Sequence, residues 1–310
     1  MGTIQRVYLI GLGAVGSAYA AQMNAHEPGL VKVIVDEERR VSYQSEGVKV
    51  NGVTHRFALV TPEEAKEKAD LILIAVKGYH LAQAANEIRP FVGEKTIILS
   101  LLNGISSEEE LGRFYGPEKL LHAFVMATDA TREGRSTRYS TLGRIVFGDR
   151  ERGILSPKVQ AVKELFDRTG VPYELPADIL REQWGKFMLN VGVNQVSAVL
   201  RAPYGVFQQV KEARDLMVLA CREVVQIAEK VGINLTADDI PAILRNLDGL
   251  APEGKTSMLQ DVEAGRKTEV DIFASTVVAL GEKYGVATPV NACLQLMLTT
   301  LEKAYSCESK

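Results

Sequence analysis

The sequence predicts an α/β protein in which an N-terminal, doubly wound parallel sheet precedes a mostly helical C-terminal domain. Three observations predict this fold. The first half alternates short apolar, strand-like runs with helix-like segments. A glycine-rich turn joins the first predicted strand to the first predicted helix. Beyond about Asp178, strand-like runs become rare and helical spacing of apolar residues dominates.

The alternation of the first half can be followed along the chain. Residues 69–76 are nearly all apolar, as is typical of a central parallel strand. Ser107 is predicted to cap the helix that it begins, and Ser-Pro at 156–157 is a typical helix start. Strands are predicted at 6–10, 30–35, 69–76, 96–100 and 171–174, a hairpin at 48–50 and 56–59 around Asn51-Gly52, further strands within 120–148, and helices at 15–24, 81–88, 107–114 and 156–169.

The second half shows helical spacing almost throughout. Helices are predicted at 178–199, 212–231, 238–246, 257–265, 269–284 and 291–304. The change of character falls near residues 175–180, and we find no repeat and no long linker. We therefore expect a sheet-containing domain at 1–177 and a helical domain at 178–310.

Bulk composition excludes several classes of function. The 310 residues are 46% hydrophobic and 24% charged, with a net charge of −3, so no basic excess is available for nucleic acid. Cys221, Cys293 and Cys307 form no CxxC or Cys/His cluster, which favours free thiols in a reducing compartment and no metal site. The N-terminal apolar run is too short to span a membrane, and we expect a cytoplasmic protein with no membrane partner.

The glycine-rich turn reads Gly11-Leu12-Gly13-Ala14-Val15-Gly16, which is GxGxxG. Its position after a strand and at the start of a helix gives the motif its meaning. Gly11 permits the tight turn, Gly13 lets the backbone approach a pyrophosphate, and Gly16 lets helix and strand pack closely. The start of the helix offers N–H groups and a positive dipole end to phosphates. This segment predicts a dinucleotide site.

The end of the second strand predicts how the adenosine ribose is recognised. Asp36 stands twenty positions after Gly16, where a carboxylate would bond the 2′-hydroxyl of NAD and repel a 2′-phosphate. Arg39 and Arg40 follow within one helical turn and would suit the 2′-phosphate of NADP. A solvated charged loop is the third interpretation, so residues alone leave the choice of cofactor open.

Two further polar residues follow predicted strands at the edge where ligands of such sheets bind. Lys77 follows the strand ending at Val76, and Asn103 follows the strand ending at Leu102. Lys77 is placed to reach the cofactor or substrate, and Asn103 to bond the nicotinamide side or the substrate. A surface lysine and a simple Asn-Gly turn are the competing interpretations.

The helical half contains two candidate clusters. Lys186, Asn190 and Asn194 recur every four residues among apolar neighbours, which predicts one polar stripe on a buried helix. Desolvation would lower the pKa of that lysine, which suits a proton donor, whereas a solvated face is the alternative. Ser257 and Glu269 flank a densely charged segment whose residue types suit substrate binding, although a solvated helix pair explains the spacing equally well.

At this point the sequence resembles the ketopantoate reductases (2-dehydropantoate 2-reductases) along essentially its whole length. The shared elements, in order, are the N-terminal GLGAVGS, Val76-Lys77, Asn103-Gly104, Trp-x-Lys-x-x-x-Asn-x-x-x-Asn from Trp184, Ser-Met-Leu-Gln-Asp from Ser257, and Gly-Arg-x-Thr-Glu-Val-Asp from Gly265. The resemblance implies a dinucleotide-binding Rossmann domain at 1–177 and a helical domain for substrate binding, catalysis and dimerisation at 178–310, the two closing on a cleft. It also implies reduction of 2-dehydropantoate to (R)-pantoate with hydride from NAD(P)H, in pantothenate and coenzyme A biosynthesis.

The resemblance also implies roles for individual residues. Lys186 would be the general acid, and Glu269 would position both substrate and Lys186. Asn190, Asn194 and Ser257 would bond substrate oxygens. Asn103 would lie between cofactor and substrate, and Lys77 on the cofactor side. NADP is the family's usual cofactor, and a homodimer is common among relatives.

Three departures from the family pattern limit what carries over. Asp36 stands where NADPH-using members usually have a basic residue, which makes NAD a candidate cofactor. Tyr204-Gly205 stands where many members have Asn-Gly, and Gly254 where they often have asparagine. The last two changes favour an alternative, a reductase of a different 2-keto acid on the same scaffold.

Two further classes of protein share parts of this pattern. A nucleotide-sensing protein without catalysis is disfavoured by the retention of both Lys186 and Glu269. A relative acting on 3-hydroxy acids shares the two-domain plan, but its usual N-terminal substrate-binding loop is not found in this sequence.

Overall fold

The computed structural model describes residues 2–308, with side chains described through residue 304. The chain divides into two compact units. The first, which we call the sheet unit, runs to Asn103 and continues over Ser107–Ile179. The second, the helical unit, comprises Gly104–Ser106 and the chain from Leu180 onward.

Twelve strands lie in the described part of the sheet unit and form two sheets. They are β1 Val7–Ile10, β2 Val31–Ile34, β3 Val48–Val50, β4 Val53–His55, β5 Ala58–Val60, β6 Leu71–Ile74, β7 Ile97–Ser100, β8 Leu120–Met126, β9 Thr131–Glu133, β10 Ser136–Arg138, β11 Arg144–Gly148 and β12 Tyr173–Glu174. The large sheet has the order β12-β11-β8-β7-β6-β1-β2-β5, and the small sheet β4-β3-β10-β9.

The large sheet is wound in both directions from β1. From β1 the chain moves through β2 to β5 on one side, then returns to β6, β7 and β8 on the other. Each neighbouring pair in the series β5-β2-β1-β6-β7-β8 is parallel, whereas β8 and β11 pair antiparallel. The reversal beside β1 is the topological switch point at which ligands of open α/β sheets bind.

Helices cover both faces of the large sheet: α1 Ala14–His26, α2 Glu37–Glu46, α3 Leu81–Ile88, α4 Ser107–Tyr115 and α5 Pro157–Thr169. Alternate residues of β1 point to opposite faces. Val7 and Leu9 join a core with residues of α1 and α5, whereas Tyr8 and Ile10 join a second core with residues of α3. The fold class expected from the sequence is therefore confirmed.

Local differences from the predicted elements have identifiable reasons. The predicted hairpin partner at 56–59 is wrong, because β4 pairs with β3 around Asn51-Gly52 while β5 joins the large sheet beside β2. Helix α2 was not predicted, since its highly charged sequence has little apolar periodicity. Ser156 caps α5 as expected, accepting from the amide of Val159 at 3.3 Å. Ser107 instead lies inside α4, and its hydroxyl donates to Glu108.

The helical unit contains α6 Ile179–Leu189, a π-helical segment Asn190–Asn194, α7 Gln195–Leu200, α8 Tyr204–Gln209, α9 Lys211–Lys230, α10 Ile240–Asp248, α11 Ser257–Glu263, α12 Ala274–Tyr284 and α13 Pro289–Glu308. One apolar core joins them, with Phe187, Phe207, Met217 and Phe273 fully buried. The predicted helix start at 269 is wrong. Residues Val270–Ile272 form a separate 3₁₀ turn, and an irregular backbone at Phe273 precedes α12.

A buried polar network fixes the segment that follows the π-helical turn. Glu223 accepts hydrogen bonds from the amides of Val290 and Asn291, at 2.8 and 2.9 Å, and so caps the start of α13. The side chain of Asn291 donates to Glu223 and accepts from Gln195. Helix α7 is thereby tied to α9 and α13. No described helix combines the length and apolarity that a membrane crossing requires.

Candidate cofactor and substrate sites

The glycine turn of the sheet unit is shaped by close backbone packing. Gly11 has φ +99°, and a Cβ there would lie 2.5 Å from the carbonyl oxygen of Ala75. A Cβ on Gly16 would lie 1.9 Å from the carbonyl oxygen of Gly11. Only glycine fits either position without movement of the backbone. The loops after β1 and β6 therefore meet at the switch point.

Gly13 differs from the other two glycines. Its φ is −69°, and the nearest atom to a Cβ there would be the oxygen of Ala75, at 3.8 Å. The described protein atoms therefore do not require glycine at this position. No described side chain caps the start of α1, and its first turn contains no acidic residue. Together these features fit the diphosphate of a dinucleotide, which needs a close backbone approach and N–H donors.

The end of β2 has a specific arrangement of charges. Asp36 is the N-cap of α2 and accepts from the amide of Arg39 at 2.7 Å, while the Arg39 guanidinium lies 3.6 Å from the same carboxylate. Arg40 pairs with Glu64 at 2.7 Å, and this bond raises the pKa of Arg40. Of the two arginines considered for a 2′-phosphate, Arg40 is thus committed to a carboxylate, and Arg39 lies beside Asp36.

Lys77 and Asn103 follow neighbouring parallel strands. Lys77 stands three residues after β6 in an extended conformation and leads into a 3₁₀ turn. Asn103 stands three residues after β7, and both side chains are partly exposed. Since β6 pairs with β7 in parallel, the two residues lie at the same edge of the sheet as Gly11 and Asp36.

In the helical unit, Lys186 lies in the last turn of α6. Burial lowers the pKa of its amine from 10.5 to about 8, and the negative charge of Glu269 opposes that shift. Glu269 is 8% exposed and precedes the 3₁₀ turn before α12. A lysine with a pKa near 8 is largely protonated at neutral pH and is still a competent proton donor.

Asn190 and Asn194 begin and end the π-helical segment. The side-chain amide of Asn194 donates to the side-chain oxygen of Asn190 at 3.4 Å, so the two share one face. A repeat of four residues drifts around an α-helix because a turn has 3.6 residues. The wider π turn reduces that drift. The two asparagines of the predicted polar stripe therefore lie together, although a π-helical segment and not a regular α-helix carries them.

Close packing accompanies this wider turn. A Cβ on Gly192 would lie 2.5 Å from the Sγ of Cys221 on α9. The Cys221 thiol contacts the carbonyl oxygen of Met188 at 3.5 Å, and burial raises its pKa to about 12. Cys221 is therefore a free, buried thiol that packs against the π-helical segment. Cys293 is exposed, and the side chain of Cys307 lies outside the described residues.

Ser257 is exposed at the first position of α11, next to the residue that caps the helix. That cap is Thr256, which accepts from the amide of Leu259 at 3.1 Å. Its hydroxyl also bonds the hydroxyl of Ser197 at 3.2 Å, and Ser197 lies one helical turn beyond Asn194. Ser257 therefore follows a residue that is bonded to α7, the helix directly after the two asparagines, and Ser257 itself is exposed.

The chain between α11 and Glu269 is fixed by charged side chains. Arg266 pairs with the largely buried Asp261 at 2.9 Å across the turn at Gly265, which has φ +62°. The amide of Thr268 donates to Glu302 of α13 at 2.7 Å. These contacts therefore fix the chain immediately before Glu269.

Tyr204 and Gly254 pack directly against each other. A Cβ on Gly254 would lie 2.8 Å from the Cδ2 of the Tyr204 ring, and the amide of Tyr204 donates to the carbonyl of Gly254 at 2.9 Å. The tyrosine ring therefore occupies the space that a side chain at 254 would need. The two departures from the family pattern are structurally coupled.

The sequence interpretation missed one residue beside the glycine turn. Arg132, on β9, donates through Nη1 to the carbonyl oxygen of Leu12. No sequence motif marks it, because its position depends on how β9 pairs with β10. No group of His, Cys, Asp or Glu side chains in the described part of the chain could hold a metal ion.

Two family models match the chain. The model described as ketopantoate reductase PanE/ApbA matches residues 7–152, and the model of the C-terminal part of the same family matches residues 178–302. Together they cover most of both units. The chain belongs to the ketopantoate reductase family, a family of oxidoreductases.

Individual relatives agree in length with this chain. The 2-dehydropantoate 2-reductase of Aquifex aeolicus is 28% identical over 96% of this chain and 97% of its own. The corresponding enzyme of Pyrobaculum aerophilum is 29% identical over 92% and 94%.

Solved structures show the same fold. The 2-dehydropantoate 2-reductase of Geobacter metallireducens superposes with a TM-score of 0.85 at 25% identity, covering 95% of this chain and 99% of its own. A D-mandelate dehydrogenase solved with NADH and anilino(oxo)acetate gives a TM-score of 0.86 at 23% identity, covering 97% and 99%. The latter likeness is one of fold.

Proposed function

We propose that this protein is a nicotinamide-dependent reductase of a 2-oxo acid, with 2-dehydropantoate as the first candidate substrate and (R)-pantoate as the product. The observation that carries the proposal is Lys186, whose amine has a pKa of about 8 beside Glu269 and on the helix of Asn190 and Asn194. An amine of that pKa, followed on the same helix by amides, suits proton transfer to a polar substrate. The family's 2-dehydropantoate 2-reductases support the substrate.

The proposed mechanism assigns one task to each group. A nicotinamide dinucleotide held at the glycine turn would supply the hydride for reduction of the 2-keto carbon. Lys186 stabilises the negative charge that develops on the keto oxygen and then donates its proton to it. Glu269 keeps Lys186 charged and orients it. Asn190, Asn194 and Ser257 bind substrate oxygens, Asn103 contacts both cofactor and substrate, and Lys77 binds the cofactor.

For the cofactor we propose NADH rather than the family's usual NADPH. Asp36 places a carboxylate at the end of β2, and Arg40 is already paired with Glu64. Arg39, the other of the two arginines, already forms an ion pair with Asp36 at 3.6 Å. A 2′-phosphate would therefore meet a carboxylate without a free arginine to offset it, whereas a 2′-hydroxyl would gain an acceptor.

A second candidate substrate follows from Tyr204. The fold itself does not choose between substrates, since a D-mandelate dehydrogenase shares it. The Tyr204 ring fills the space beside Gly254, three residues before Ser257. We propose that this aromatic surface favours a 2-oxo acid with an apolar substituent. The double variant Tyr204→Asn with Gly254→Asn should then shift the ratio of kcat/KM toward 2-dehydropantoate.

A side-by-side turnover assay tests the function. The purified protein is assayed with NADH and with NADPH on 2-dehydropantoate, 3-methyl-2-oxobutanoate and phenylglyoxylate. The expected result is turnover of at least one oxo acid, faster with NADH. Dinucleotide binding without turnover of any oxo acid would support a nucleotide-sensing protein and contradict the proposal. The expected homodimer and the division of tasks between the domains at 1–177 and 178–310 are further proposals, the first of which light scattering can test.

A further inference from the structure

Arg132 is a partly buried cation whose partners in the described structure are neutral. Its guanidinium donates to the carbonyl oxygens of Gly134, at 2.9 Å, and Leu12, and it reaches the hydroxyl of Tyr43 at 3.5 Å. Among the residues that the structure describes, none of the ion pairs within 4.0 Å involves Arg132. One of its neutral partners, Leu12, is the loop residue between Gly11 and Gly13.

The register of the small sheet aims Arg132 at the start of α1. Arg132 lies directly opposite Thr137 in the antiparallel pair of β9 and β10, so both side chains point to the same face. Thr137 is fully buried, and its hydroxyl bonds that of Ser17 in α1 at 2.8 Å. The Ser17 hydroxyl donates to the carbonyl of Gly13 at 2.7 Å. The hairpin formed by β9 and β10 is thus anchored beside the glycine turn.

Arg135 in the same hairpin provides a contrast. Its guanidinium forms an ion pair with Glu46 and donates to the Ser42 hydroxyl at 2.7 Å. Burial lowers the pKa of Arg132, and the nearby charge of Arg135 acts in the same direction, whereas the hydroxyl of Tyr43 opposes the shift. A buried charge is costly unless an opposite charge offsets it. Within the described residues Arg132, unlike Arg135, therefore lacks the anion that its surroundings call for.

We propose that Arg132 binds the diphosphate of the dinucleotide, exchanging the carbonyl oxygen of Leu12 for a phosphate oxygen. The inference rests on the proposed binding of a nicotinamide dinucleotide. The diphosphate is favoured over the 2′-phosphate because Leu12 lies within the glycine turn, whereas the residue expected to meet the ribose is Asp36 at the start of α2. Arg132 then strengthens the binding of NADH and NADPH alike.

Isothermal titration calorimetry with NADH, NADPH and ADP tests the proposal on the full-length protein. Arg132→Gln should raise the Kd for all three ligands by about tenfold or more, as expected for loss of a charge-assisted bond. Arg132→Lys, which keeps the positive charge, should raise the three Kd values by a smaller factor. Arg135→Gln, the matched control whose native partner is Glu46, should leave all three Kd values within about twofold of wild type.

Each competing explanation gives a different result. An unchanged Kd for NADH in Arg132→Gln, with a lowered melting temperature, would show a purely structural clamp and overturn the proposal. A loss confined to NADPH would place Arg132 at the 2′-phosphate and also overturn it. Absence of dinucleotide binding by the wild-type protein overturns both this inference and the proposed function. Dinucleotide binding without turnover overturns the proposed reaction alone and leaves the test of Arg132 intact.

Discussion

The sheet unit and the helical unit build their candidate sites from different parts of the chain. In the sheet unit the site consists largely of backbone: the glycine turn, the first N–H groups of α1 and the strand ends beside β1. In the helical unit it consists of side chains, namely the amine of Lys186, two amides and the carboxylate of Glu269. A backbone site tolerates many side chains but few changes of glycine, whereas a side-chain site depends on each functional group.

This difference predicts that substitutions in the two units separate binding from chemistry. Changes in the sheet unit should alter the Kd of the cofactor or the folding of the loop. Changes in the helical unit should alter kcat while cofactor binding persists.

Lys186→Ala should give the largest effect on turnover. Loss of the proton donor is expected to lower kcat by about 10²- to 10⁴-fold. The Kd for NADH should stay within about twofold of wild type, since the glycine turn is untouched. Stopped-flow kinetics and calorimetry measure the two quantities. Lys230→Ala, an exposed lysine at the end of α9, is the control. Turnover by Lys186→Ala at the wild-type rate would remove Lys186 from the proposed mechanism.

Substitutions at two of the glycines should distinguish an effect on folding from an effect on cofactor binding. Gly16→Ala places a Cβ 1.9 Å from the Gly11 oxygen, so we expect destabilisation by about 3 kcal/mol. A Cβ on Gly13 would lie 3.8 Å from the nearest atom, the carbonyl oxygen of Ala75. Gly13→Ala should therefore fold normally while binding NADH about tenfold more weakly. Thermal denaturation and calorimetry distinguish the outcomes. Tight NADH binding by Gly13→Ala would mean that no ligand approaches that residue closely.

The pH dependence should follow the amine of Lys186. Its pKa is lowered to about 8, so the active ammonium form persists below that pH and is lost as the pH rises through it. kcat for reduction should fall about tenfold for each pH unit above the pKa. Glu269→Gln removes the negative charge that raises the pKa of Lys186. In this variant the basic limb of the pH profile of kcat should therefore move to lower pH. A limb that moves to higher pH, or not at all, would contradict that role.

Asp36→Ser should give the smallest effect. Serine keeps an N-cap for α2 while removing the charge at the end of β2, so stability should change little. The preference for NADH over NADPH should fall by roughly twofold to fivefold, the size expected for one exposed charge. Glu38→Gln, also on the first turn of α2, is the control. Equal changes in kcat/KM for both cofactors would show that Asp36 does not read the ribose.

How much could be predicted from the sequence depended on how local the determinants are. The glycine turn, the cap at Ser156 and the shared face of Asn190 and Asn194 depend on residues close in sequence, and they were predicted. The π-helical turn was not, because it accompanies the close packing of Gly192 against α9.

Non-local pairing limited the remaining predictions. Nothing near residues 56–59 indicates that β5 leaves the hairpin to join β2. The contact of Arg132 with Leu12 joins residues 120 positions apart and follows from the register of β9 with β10. The packing of Tyr204 on Gly254 is of the same kind, although both residues stand out in the sequence as departures from the family pattern.

The interlocked glycines have a consequence for the entropy of binding. Because Gly11 and Gly16 approach each other and Ala75 so closely, the turn can hardly adopt another shape in the folded protein. Ordering a flexible loop on binding costs free energy, and a rigid one avoids that cost. A dinucleotide that meets this turn therefore loses its own freedom of movement but does not have to restrict the protein's.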